Sequence, residues 1–89
     1  HPRDAAAWQL LAASDAAQNR PLRAIRAEAE AQVALLDYAA AIDRFKAAQE
    51  LARSMARGGT LGADHIEASI IDTRTRQVES LLREQALER

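Results

Sequence analysis

Large apolar positions along this 89-residue chain recur at steps of three and four, without the alternation of large apolar and polar residues that marks a strand. That periodicity predicts helices and no strands. Asp4 is a candidate N-cap for a first helix running to about Gln18, with Trp8, Leu11, Ala12 and Ala16 on its apolar face and Leu10, Ala13 and Ala17 beside it. Asn19-Arg20-Pro21 then breaks the chain, because asparagine tolerates the left-handed conformation that ends a helix and proline suits the first position of the next. The second helix, Pro21 to about Leu36, carries Leu22, Ile25, Ala29, Val33 and Leu36 on one stripe. On its charged face Arg26 and Glu30 lie one turn apart, expected to form an exposed pair of about 0.3–0.5 kcal/mol.

Asp37 can cap a third helix in which Tyr38, Ala41, Ile42, Phe45, Ala48 and Ala52 share a stripe, with an end at Gly58-Gly59. Small residues at Ala41 and Ala48 let another helix approach closely. After the glycine-spaced loop Thr60-Leu61-Gly62-Ala63, Asp64-His65-Ile66-Glu67 has the form of a capping box. The last helix, from Glu67 to about Leu87, places Ile66, Ile70, Ile71, Val78, Leu81 and Leu82 on a broad stripe with Thr73, Thr75 and Gln77. Its outer face offers Asp72 with Arg76, and Glu79 with Arg83, at i,i+4.

Composition narrows the architecture. Of 43 hydrophobic residues 22 are alanine, so 21 larger side chains supply nearly all the apolar burial, at about 1.5–3 kcal/mol for each one fully buried. A core that thin fits closely packed helices in a short array. The balance of 12 basic and 13 acidic residues, a net charge of −1, gives no field to draw the chain onto nucleic acid or an anionic membrane. The lack of cysteine excludes disulfides and zinc–thiolate sites, and no apolar run is long enough for membrane insertion. The chain opens on His1 rather than methionine, so residues 1–89 read as one helical domain excised from a larger protein.

The order Tyr38, Ala41, Ile42, Phe45, Ala48 resembles the second helix of a tetratricopeptide repeat (TPR), with Ala41, Phe45 and Ala48 at the small, bulky and small signature positions. Trp8, Leu11 and Ala12 resemble the opening of a repeat's first helix, whereas Glu28, Ala29 and Arg53 replace the repeat's leucine, glycine and proline. The resemblance implies an all-α fold of about four antiparallel helices in right-handed TPR-like stacking, the last a longer C-terminal capping helix. Taken together, Trp8 to Leu11, the Arg26-Ala27-Glu28-Ala29-Glu30 segment, Asp37 to Arg53 and Ile71-Asp72-Thr73-Arg74 to Leu82 resemble the C-terminal repeat region of BepA-like bacterial periplasmic zinc metallopeptidases. That family implies a periplasmic setting and a zinc-binding HExxH helix in a catalytic domain that is not in this segment. The repeats would hold a client or assembly partner.

Within the chain no catalytic, cofactor-binding or metal site is expected. His65 and Glu67, two residues apart, diverge by about 200° on a helix, and no His-Glu-x-x-His exists. Asp72, Arg74 and Arg76 read as a solvated helix face, and Trp8 as core. The repeat register, fixed at Ala41, implies a concave groove lined by Gln9, Ala13, Arg23, Arg26 and Glu30, where a protein or peptide partner meeting the arginines would be acidic. Two functions compete: a non-catalytic protein–protein interaction module, or a structural helical cap or oligomerisation element without its own ligand. The missing nucleophile, base and metal constellations argue against an enzyme.

Overall fold

A computed structural model describes residues 4–88, which form four α-helices: α1 (Ala5–Ala17), α2 (Pro21–Ala34), α3 (Tyr38–Arg57) and α4 (His65–Leu87), the last preceded by a 3₁₀ turn at Gly62–Asp64. The fold is all-α and its C-terminal helix, at 23 residues, is the longest. The array measures 44 × 25 × 16 Å. Each helix packs on the next along the chain, and α4 also reaches back to α2.

Local chemistry sets the boundaries. Asp4 caps α1, its Oδ1 accepting from Ala6 and Ala7 N–H at 3.0 and 3.3 Å, and Asp37 caps α3 by accepting from Ala40 N–H at 3.1 Å. Pro21 opens α2 as expected. Three helices end in the same paired hydrogen-bond motif. The N–H of Arg20 reaches Asp15 O at 2.8 Å, that of Asp37 reaches Gln32 O at 2.9 Å, and that of Thr60 reaches Met55 O at 2.8 Å. The residue just before each donor is left-handed: Asn19 at φ 58°, Leu36 at φ 62° and Gly59 at φ 73°. Leu36 therefore lies outside α2 rather than on its stripe. The expected capping box at α4 does not form: Asp64 belongs to the 3₁₀ turn without a side-chain cap, and Glu67 turns toward α2.

The core runs between α2, α3 and α4. Leu22, Ala29, Ala41, Ile42, Phe45, Ala48, Ala52, Ile71 and Val78 are buried together, with Ile25, Val33, Tyr38, Leu51 and Leu82 packed on their edge. Phe45 is the largest fully buried side chain, held in the space that alanines at 41, 48 and 29 leave open. A second, alanine-only seam of Ala24, Ala27 and Ala31 on the far face of α2 receives Ala12 of α1. The structure corrects two expected stripes. In α1 the buried positions are Ala12 and Asp15, while Leu10 and Leu11 are exposed and Trp8 is only part-buried. In α4 the buried line is Ile71, Thr75 and Val78, leaving Ile66 and Ile70 outward. The turn from Ile70 to Ile71 rotates the chain by about 100°, so adjacent isoleucines cannot both face α3.

Candidate functional site

Where α4 crosses α2, four charged side chains close on one another. Glu30, 6% exposed, accepts two hydrogen bonds from Arg74, Nε to Oε2 at 2.9 Å and Nη2 to Oε1 at 2.8 Å. This is the fork-to-carboxylate geometry that makes arginine pairs strong and directional. Arg26 donates to Glu30 Oε2 at 3.3 Å and, through Nε, to Glu67. The Arg26 guanidinium also lies 5.8 Å from the centre of the Trp8 ring, within cation–π range. Arg74 further donates to Gln77 Oε1 at 2.8 Å. Two arginines face two glutamates, so the set is neutral and ties α1, α2 and α4 together.

This arrangement corrects the expectation of a weak exposed Arg26–Glu30 pair and of a solvated Arg74. Glu30 is buried because α4 covers it, and a carboxylate taken out of water is stable only with its partners in place. The expected i,i+4 pairs on α4 do not form: Asp72 accepts from Gln49 at 3.0 Å, and Arg76 donates to Thr73 Oγ1 at 3.4 Å.

Beside the network a groove runs between α2 and α4. A cavity of about 440 Å³ is lined by Glu30, Val33, Ala34, Leu36, Tyr38, Arg74 and Leu81. An adjoining one of about 190 Å³ shares Leu36, Tyr38 and Leu81 and opens between Glu84, Gln85 and Glu88. Gln85 Nε2 donates to the Leu36 carbonyl at 3.4 Å, fixing the turn against α4. The groove thus has a charged but neutralised inner end, an apolar middle and an acidic mouth.

The five residues expected to line one groove are distributed over different faces. Arg26 and Glu30 meet in the network. Arg23 is exposed and approaches buried Asp15 at 3.9 Å, and Ala13 is exposed on α1. Gln9 lies across a separate shallow cleft of about 360 Å³ with Glu28, Ala31, Gln32 and Arg44, on the side of α2 about 200° from Arg26. Sequence reasoning missed Glu67 and Arg74, whose seven-residue spacing puts them on one face of α4, and the groove residues Leu36, Leu81, Glu84 and Glu88. On the outer face of α3, exposed Glu50 sits between Arg53 at 2.8 Å and Arg57 at 3.7 Å. The Arg53 hydrogen bond and charge hold its carboxyl below the usual glutamate range, and the Arg57 charge adds to this.

His65 is exposed at the start of α4. Among the described residues no three His, Cys, Asp or Glu side chains gather as a metal site, and no helix is long and apolar enough to cross a membrane. Compared with protein-family models, curated proteins and solved structures, the chain matches none.

Proposed function

We propose that this helical array is a non-catalytic protein–protein interaction module of TPR-like type. On the BepA-like resemblance, it would bind a client or assembly partner for a periplasmic zinc metallopeptidase whose catalytic domain lies outside these 89 residues. The observation that carries the reading is the groove between α2 and α4. Leu36 is 63% exposed there, Tyr38 and Leu81 are part-buried, and the groove is long and open, as a polypeptide segment requires. Any zinc chemistry belongs to that outside domain.

A second reading, a helical cap or oligomerisation element, is favoured by a different surface. Ile66 and Ile70 stand out from α4 at 73% and 37% exposure, beside Ser69 and Thr73, where a further helix could pack. Photo-crosslinking separates the two. With benzoylphenylalanine placed singly at Leu36, Leu81 and Ile66 of the protein in its native cell, the module reading expects adducts with other polypeptides from positions 36 and 81. Adducts only from position 66, and only with the protein's own chain, would favour the cap and contradict the module.

A further inference from the structure

The middle and mouth of the groove say what kind of segment would fit it. The apolar middle is built at a conformational expense. Leu36 occupies the left-handed region, which costs a residue with a Cβ about 1–2 kcal/mol, and it leaves a large apolar side chain in water. The equivalent positions in the other two turns are Asn19 and Gly59, residues that take this conformation readily. Neither strain nor exposure at Leu36 is explained by folding, since the same hydrogen-bond motif closes all three turns.

The mouth carries negative charge that no described residue pairs with. Glu84 and Glu88 are one turn apart, both exposed and both lining the groove, an i,i+4 like-charge pair that weakens a helix slightly. Neither makes an ion pair among the described residues, and Arg83, their neighbour in sequence, lines neither cavity. At the inner end the Arg74 charge is cancelled by Glu30 and that of Arg26 by Glu67. Among the described residues no free cation therefore faces the groove from its inner end to offset the mouth. From Arg74 to Glu88 the floor runs about 21 Å along α4, the length of about six extended residues.

We propose that the groove between α2 and α4 takes a short basic and apolar polypeptide segment, with apolar side chains seated on Leu36, Tyr38 and Leu81 and lysine or arginine facing Glu84 and Glu88. The proposal rests on the interaction-module reading and adds the chemistry of the partner, opposite in sign to the acidic one that Arg23 and Arg26 suggest in sequence.

Three fluorescein-labelled synthetic peptides test it, sharing a Leu-Phe-x-x-Leu centre flanked by two lysines, two glutamines or two glutamates. Their affinities are measured by anisotropy, and the contact site by ¹⁵N chemical shifts of the chain. The lysine peptide is expected to bind at least about tenfold tighter than the glutamate peptide, with a preference that shrinks as salt rises and with shifts at Leu36, Tyr38, Leu81 and Gln85. Replacing Glu84 and Glu88 together by glutamine removes the preference, and Leu36→Asn weakens all three peptides while the thermal midpoint stays put or rises. Equal affinities with shifts in the groove would overturn the basic partner and leave the module reading standing. No shifts from any peptide at millimolar concentration would overturn the segment-binding role of the groove. Concentration-dependent sedimentation abolished by Leu36→Asn would assign the groove to a second copy instead.

Discussion

The inner end and the mouth of the α2/α4 groove contain the same residue types and use them in opposite ways. At the inner end Glu30 and Glu67 are each matched by an arginine and withdrawn from water, so their charge is internal to the fold. At the mouth Glu84 and Glu88 are exposed and make no ion pair among the described residues. A glutamate on a helix therefore says little about binding until its partners are known. What distinguishes the two ends is whether another helix covers the carboxylate.

That contrast can be broken most strongly from the inside. Glu30→Ala strips Arg74 of its counter-charge and leaves Arg26 with Glu67 alone, and should destabilise the array by about 2–4 kcal/mol, below the upper range for a broken buried pair because both arginines keep some contact with water. Glu84→Ala, at the mouth, should stay within about 0.5 kcal/mol. Urea denaturation of the two variants compares them directly, and similar losses would erase the distinction.

The turn beside the mouth gives the next largest effect. Leu36→Asn relieves a strained left-handed residue and removes little burial, so it should raise stability by about 0.5–1 kcal/mol. A loss above about 1 kcal/mol would mean that Leu36 packs as core. The smallest effect lies on the outer face of α3. Glu50 has a depressed pKa in the folded chain, so its favourable contribution is present above the unfolded pKa and is lost as the pH falls through the folded one. A ¹³C titration should find its midpoint below that of an ordinary glutamate, and Arg53→Ala should move it back up.

Much of the fold was legible in sequence because its signals are local. The caps at Asp4 and Asp37, Pro21 at the start of α2, and the Ala41, Phe45, Ala48 spacing all act within a turn or two, and each stands where expected. Helix α4 was harder. Ile66, Ile70 and Ile71 admit two apolar faces, and only packing on α3 selects the one through Ile71. Of the charge network only the Arg26–Glu30 spacing left a local trace, because Glu30 and Arg74 are separated by 44 positions and either reads by itself as a wet helix face. Leu36 was placed on the α2 stripe by its spacing, which carries no hint that the backbone turns left-handed two residues after the helix ends. The mouth was missed for a related reason: Glu84 and Glu88 acquire meaning only beside Leu36 and Tyr38, which come from another part of the chain.

A double-mutant cycle on Glu30 and Arg74 tests the central claim, that the inner charges belong to the fold and join α2 to α4. Stability is measured by urea denaturation for the wild-type chain, Glu30→Ala, Arg74→Ala and the double variant. Because the bidentate pair sits between helices and its carboxylate is shielded from water, the coupling energy should be about 1.5–3 kcal/mol. A coupling below about 0.5 kcal/mol, as for exposed pairs, would contradict the account and return Arg26, Glu30 and Arg74 to the solvent-facing surface.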